Sequence, residues 1–126
     1  ALRLDEATAL LRAGHPSGAY YLAGYAVECA LKACIARKTQ MHAFPDLDRV
    51  RKSYVHDLRA LVVVAGLDRE FSHLVRTDPF KLNWEVVKDW SEEQRYSKHP
   101  KNKAEDLIHA ITDPKDGILV WLKTHW

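Results

Sequence analysis

The stretch Ser17–Lys38, SGAYYLAGYAVECALKACIARK, decides the fold because it is the most apolar part of the chain. Its length and composition predict a long helix at the centre of the molecule, with Ser17 as a candidate N-cap. A membrane span is not expected, because Glu28 and Lys32 near the middle of the stretch would be costly in hydrocarbon. We therefore predict a buried core helix around which the rest of the chain packs.

Helical spacing of apolar residues recurs on both sides of this helix. No alternating strand pattern offers a partner to the run Val62–Val64, so that segment is also predicted to be helical. The sequence thus predicts an all-α protein, an up-and-down antiparallel bundle of four to five main helices. The other predicted helices are a first one ended by Gly14, then Tyr54–Ala65 ended by Gly66, Asp68–Val75, Leu82–Trp90, one from an Asn102/Glu105 capping pattern to Ile111, and Pro114–His125.

Composition narrows the class of protein. With 126 residues, 47% hydrophobic and 29% charged, the chain is expected to form one soluble domain. Its net charge of +2 is too small to demand a nucleic-acid partner, so the position of the charges matters more than their sum. No leading signal segment is evident, and we expect a cytoplasmic protein.

The cysteines and histidines give no sign of a metal or cofactor site. Cys29 and Cys34 lie five residues apart, which places them on different faces of a helix and prevents both a disulfide and a shared metal. We interpret both as small buried apolar residues in a reducing cytoplasm. The histidines lack the spacing of metal ligands, and no glycine-rich phosphate loop is present. No metal and no cofactor are expected.

Glu28 is the first candidate for a functional residue. Tyr21, Gly24, Glu28 and Lys32 fall within about 40° of one another on a helical wheel and form a narrow polar stripe on the apolar helix. One interpretation is a Glu28–Lys32 pair at the solvent edge. The other is a partly buried carboxylate that receives an arginine from another helix or a group of a substrate. Under the second interpretation we predict that Arg95 faces Glu28 across one cleft.

The stretch from Gln94 to Ala104 is the second candidate, because it contains no acid and four basic residues. This local positive charge would attract phosphates, and Arg95 with Tyr96 could clamp and stack a nucleotide or single-stranded RNA. The alternative is a solvated basic loop in which Arg95 pairs with a glutamate. His99 lies within the stretch and is a candidate acid or base. His56, at the start of the predicted third helix, could serve in acid–base chemistry or simply bond a neighbouring helix.

Three motifs in order resemble the HEPN family of helical domains: Ala19–Ala33 (AYYLAGYAVECALKA), His56-Asp57-Leu58 and Glu93-Gln94-Arg95-Tyr96. The resemblance covers nearly the whole chain. It implies an up-and-down bundle that dimerises, often encoded beside a minimal nucleotidyltransferase in toxin–antitoxin or defence systems. Many members resemble metal-independent RNases in which four to six residues lie between an arginine and a histidine near the start of the last main helix. Here three residues separate Arg95 from His99, so the pair departs from that spacing.

These observations lead to a first prediction and two alternatives. The first is a homodimeric HEPN-family domain that binds nucleotide or RNA phosphates and acts with a nucleotidyltransferase-type partner. One alternative is a metal-independent endoribonuclease toxin that uses Arg95 with His99 or with His56, and the other is a structural dimerisation module. Four tryptophans and five tyrosines suggested that some large aromatics cover the dimer interface. The expected phosphate-binding residues are Glu28, Lys32, His56, Arg95, Tyr96 and Lys98.

Overall fold

The computed structural model describes residues 2–41 and 57–126, apart from the side chains of residues 40, 41 and 95. Within these ranges the protein is all-α, with no strand, which confirms the predicted class. Four of the helices have ten or more residues; the up-and-down arrangement stays a prediction. The elements are α1 (Leu2–Arg12), α2 (Pro16–Met41), α3 (Leu58–Val64), α4 (Asp68–Leu74), α5 (Asp78–Val87), a 3-10 helix (Glu92–Tyr96), α6 (Lys101–Thr112) and α7 (Ile118–Lys123).

The long helix α2 lies at the centre of the fold, as the apolar stretch predicts. It packs against α1, α3, α6, α7 and the 3-10 helix. Ala23, Val27 and Leu31, spaced by four residues, are fully buried along it. Burying a side chain such as leucine contributes about 1.5–3 kcal/mol, so this row is a main source of stability. Of the two cysteines predicted to be buried, Cys34 is buried, but Cys29 lies on a different face of the helix and is exposed. No helix in the described ranges is long and apolar enough to cross a membrane.

Two glycines end helices as predicted. Gly14 follows α1 with φ 86°, and Gly66 follows α3 with φ 75°, a left-handed conformation that glycine adopts without a steric penalty. The amide of Gly66 donates to the carbonyl of Val63, which closes the last turn of α3. Asp57 caps the other end of α3, where its side chain accepts a hydrogen bond from the amide of Ala60. Predicted residues Tyr54–His56 of this helix lie outside the described ranges.

Two predicted N-caps are wrong. The helix α2 begins at Pro16, so Ser17 lies in its first turn, and its Oγ instead accepts a hydrogen bond from the amide of His99 at 2.8 Å. Asn102 does not cap α6, which begins one residue earlier and has no side-chain cap bond. The prediction failed at Ser17 because its side chain bonds the amide of His99, a partner 82 residues away.

Two predicted starts are also wrong. The helix α5 begins at Asp78 rather than Leu82, because Pro79 occupies the first turn, where its missing N–H has no helical partner to lose. The last helix begins at Ile118 rather than Pro114. Asp113 ends the preceding helix in a turn, since its carboxylate accepts bonds from the amides of Lys115 and Asp116. These bonds, the first above all, and one from Asn83 lower the pKa of Asp113.

The aromatic residues are buried more completely than the sequence suggested. Trp84, Val87 and Trp90 lie in the core together, as predicted. Trp121 joins them at 8% exposure, and Phe71 packs edge-on against Trp84 with ring centroids 4.8 Å apart. Three of the four tryptophans are therefore hidden within one chain. The homodimer stays a prediction, but the aromatic content no longer argues for it.

Candidate phosphate-binding site

An aromatic contact joins the N-terminal half of α2 to the segment that follows α5. It consists of Trp90, Gly24 and Tyr21, and we call it the aromatic lock. Trp90 is 2% exposed and lies flat over Gly24, where a Cβ would overlap the indole ring. Tyr21 flanks the same indole, with ring centroids 5.9 Å apart. Glycine is needed at position 24 because no side chain leaves room for the tryptophan. This contact brings the 3-10 helix, which begins two residues later, against α2.

Glu28 is buried inside this contact region. The residue is 1% exposed, whereas the side chain of Lys32 one turn along is 35% exposed. Lys32 Nζ lies 4.0 Å from Glu28 Oε2, a long distance for an ion pair. Lys32 thus reaches the solvent edge while the carboxylate of Glu28 is buried, and both interpretations of the stripe stay open. The Arg95 side chain lies outside the described part of the chain, so the predicted contact with Glu28 stays a prediction.

His99 is packed against the first turns of α2. Its ring stacks on Tyr20 with centroids 4.0 Å apart, and its amide donates to Ser17 Oγ. The residue is 7% exposed, and Nε2 finds no hydrogen-bond partner among the described atoms. Burial lowers the pKa of His99, the charge of Lys103 lowers it further, and a hydrogen bond with the backbone of Gln94 acts in the opposite direction. The imidazole is therefore neutral at pH 7.

Around this buried histidine the same stretch presents an exposed basic face. Tyr96 is 77% exposed, and Lys98, Lys101 and Lys103 are all exposed. Lys103 lies over the ring of Tyr20 at 5.2 Å, and Lys101 pairs with Glu105 at 3.7 Å. No acid occurs in the first turn of α6, so the positive end of its dipole adds to the field of the lysines. This basic face therefore combines the positive charge of three lysines with the exposed ring of Tyr96.

The structure brings some of the predicted residues together. Tyr96, Lys98 and His99 lie on the segment that is locked onto α2, and α2 carries Glu28 and Lys32. His56 lies outside the described ranges. Sequence reasoning did not single out Tyr20, which holds both His99 and Lys103. The only available signal was its position in the first turns of the apolar helix.

The described residues contain no group of three or more histidines, cysteines or carboxylates that could hold a metal ion. Comparison with protein-family models, with curated proteins and with solved structures finds no match to this chain. The HEPN resemblance therefore rests on the quoted motifs alone.

Proposed function

We propose that this protein is a HEPN-like up-and-down bundle that binds the phosphates of RNA or a nucleotide through residues 95–103. In this proposal it acts as a homodimer with a nucleotidyltransferase-type partner in a toxin–antitoxin or defence-like system. One observation carries the binding site: the exposed ring of Tyr96 lies on the same short segment as the exposed lysines 98, 101 and 103. Positive charge supplies affinity for the backbone, and the ring supplies a stacking surface for a base.

The packing of the segment supports binding because it fixes the lysines relative to one another. The Ser17–His99 hydrogen bond and the Tyr20–His99 stack hold the chain immediately before α6. A fixed array of cations loses less conformational entropy on binding than a loose loop does. This favours a binding face over the solvated connector that was the alternative.

Binding is also favoured over RNA cleavage. An acid or base must come within hydrogen-bond reach of the ribose hydroxyl or the leaving oxygen. The His99 ring is 7% exposed and covered by Tyr20, so a ribose could reach it only if this packing opened. The neutral imidazole is here a packing and positioning residue. The catalytic Arg95–His99 pair stays a hypothesis for the experiments below.

Fluorescence anisotropy with a labelled single-stranded RNA tests the binding face. We expect the triple variant Lys98→Ala/Lys101→Ala/Lys103→Ala to weaken binding about tenfold or more at low salt and to flatten the salt dependence. Tyr96→Ala should cost about 1–3 kcal/mol through lost stacking. The matched control removes three exposed lysines elsewhere, Lys81→Ala/Lys115→Ala/Lys123→Ala. Equal loss in both triple variants would show that only the net charge matters and would contradict the site.

Incubation of the wild-type protein with RNA in EDTA tests the nuclease alternative. We expect intact RNA. Metal-independent cleavage that disappears in His99→Ala would replace the binding proposal with the endoribonuclease. Sedimentation tests the homodimer separately, and a monomer of 14.5 kDa at micromolar concentration would contradict it.

A further inference from the structure

A second polar site lies at the opposite end of α2, about 25 Å along the helix axis from Tyr20 at 1.5 Å per residue. Here α2, the α3–α4 junction and the end of α7 surround a cavity of about 440 Å³. This volume is in the range of small-molecule sites, about 300–1,000 Å³. It is lined by Cys34, Arg37, Lys38, Ala65, Gly66, Leu67, Glu70, Thr124 and His125.

Two basic side chains, Arg37 and Lys38, line this cavity. Arg37 Nη1 donates to the backbone carbonyl of Trp126 at 2.9 Å, which anchors the guanidinium. Lys38 is half-buried, and its ammonium lies directly over Gly66, where a Cβ would overlap it. In the ranges that the structure describes, no carboxylate forms an ion pair with either side chain. Among the described residues, both charges therefore border the cavity without an ion pair to a side-chain carboxylate.

The lining of the cavity also contains a carboxylate, Glu70, whose two oxygens already have partners. Trp121 Nε1 donates to Glu70 Oε1 at 3.0 Å, and His125 Nε2 lies 2.9 Å from Glu70 Oε2. The second contact has the distance of an ion pair but not the alignment of a hydrogen bond. Each oxygen of Glu70 thus has its own partner. These contacts position Glu70, and among the described residues no ion pair joins it to Arg37 or Lys38.

The floor of the cavity is uncharged. Cys34 is 3% exposed, and burial raises the pKa of its thiol, so it stays protonated near neutral pH. Ala65 and Leu67 complete an apolar floor. A ligand that fits would carry a negative group that contacts Arg37 and Lys38, and a small remainder that packs on the uncharged residues of the lining. A cation or a large apolar molecule does not match these walls.

We propose that this cavity binds a small oxyanion, a phosphate- or carboxylate-bearing metabolite, with Arg37 and Lys38 as its binding residues. Basic residues in the last turns of a helix also offset its dipole. That role alone does not require a cavity or an ammonium lying over a glycine. The proposed ligand is distinct from the RNA of the other face, and either site can exist without the other.

Amide and indole NMR spectra of the ¹⁵N-labelled protein provide the test, with inorganic phosphate, pyrophosphate and citrate as probes. The indole N–H of Trp121 reports on this cavity through Glu70, and that of Trp90 reports on the other end of α2. We expect saturable shifts at Trp121 and at the Gly66 amide, with Trp90 unmoved. Phosphate and pyrophosphate binding without citrate binding would indicate a phosphate ligand, and the reverse would indicate a carboxylate.

Variants separate this site from general charge attraction. Arg37→Gln and Lys38→Gln should each raise Kd about tenfold, whereas the charge-matched control Lys81→Gln, at an exposed lysine outside both sites, should leave it within about twofold. Thermal melts verify that each variant folds. The proposal is overturned if no probe moves Trp121 saturably at millimolar concentration. It is also overturned if Lys81→Gln weakens binding as much as the other two variants.

Discussion

The two ends of α2 hold charge in different ways. At the N-terminal end, the cations come from one contiguous stretch around the start of α6, and aromatic packing fills the space beneath them. At the C-terminal end, the charged groups come from α2, from α4 and from the residues after α7, and a cavity remains between them. We propose that the exposed face of the first end binds a long polyanion and that the half-open cavity of the second binds a small one.

The two histidines show the same difference. His99 at the first end is buried against Tyr20, and burial lowers its pKa. His125 at the second end lies beside the carboxylate of Glu70, with its side chain 28% exposed. One imidazole packs against an aromatic ring, and the other lies beside a carboxylate. Perturbing each end should therefore produce different responses in stability.

The largest expected effect is at the aromatic lock of the first end. Trp90→Ala removes a fully buried indole over Gly24 and should lower the free energy of unfolding by about 3–5 kcal/mol. The control is Trp126→Ala, at a tryptophan 39% exposed, which should cost about 1 kcal/mol or less. Urea denaturation measures both. Similar losses in the two variants would mean that Trp90 does not lock the segment onto α2.

Between the two ends of α2, replacing Glu28 should reduce stability more than replacing Lys32, its neighbour on the polar stripe. Glu28→Gln keeps the shape of a side chain that is 2% exposed but removes its charge, and should cost about 1–3 kcal/mol. Lys32→Gln changes the more exposed partner at 4.0 Å and should cost about 1 kcal/mol or less. Denaturant unfolding of both variants provides the measurement. A larger loss for Lys32→Gln would contradict the assignment of Glu28 as the buried member.

The sequence predicted what depends on local periodicity, and it missed what depends on distant partners. The central position of α2 and the helix ends at Gly14 and Gly66 follow from composition and backbone conformation. The cap at Ser17 failed because the amide of His99, far along the chain, bonds its hydroxyl. Burial of His99 also escaped prediction, since nothing near it in sequence shows that Tyr20 will cover it.

The cavity at the second end was missed for the same physical reason. No spacing in the sequence links Arg37 and Lys38 to Glu70 and His125. The packing of three separate parts of the chain brings these groups around one volume. By contrast, the lysines of the first end lie within one short stretch of the chain, so their clustering was visible in the sequence.

Two glycines allow the second end to be perturbed with a matched control. Gly66→Ala and Gly14→Ala both place a Cβ on a left-handed residue, which should cost about 1–2 kcal/mol each. Only at Gly66 does the Cβ meet Lys38; at Gly14 the space is open. We therefore expect similar melting temperatures but weaker phosphate binding in Gly66→Ala alone. Equal phosphate affinity in both variants would contradict the placement of Lys38 at the cavity.

The smallest expected effect concerns the pH dependence that His99 gives to stability. Its pKa is lower in the folded protein than in the unfolded chain, because the buried imidazole resists charging beside Lys103. The unfolded chain therefore binds more protons as pH falls below about 6.5, the ordinary pKa of histidine, toward the lowered folded value. The stability that this group contributes is fully present above that window and is lost on acidification.

His99→Asn removes this contribution and should flatten the fall in unfolding free energy between pH 7.5 and pH 5.5, even if the variant is less stable throughout. Asparagine keeps a polar side chain but does not titrate, so only the proton linkage is removed. His109→Asn, at an exposed histidine on α6, serves as the matched control and should leave the slope close to that of the wild type. Denaturant unfolding at the two pH values gives the slopes. A wild-type slope retained in His99→Asn would show that His99 accepts a proton without disturbing its contact with Tyr20, and the proposed difference between the two ends of α2 would then not extend to their histidines.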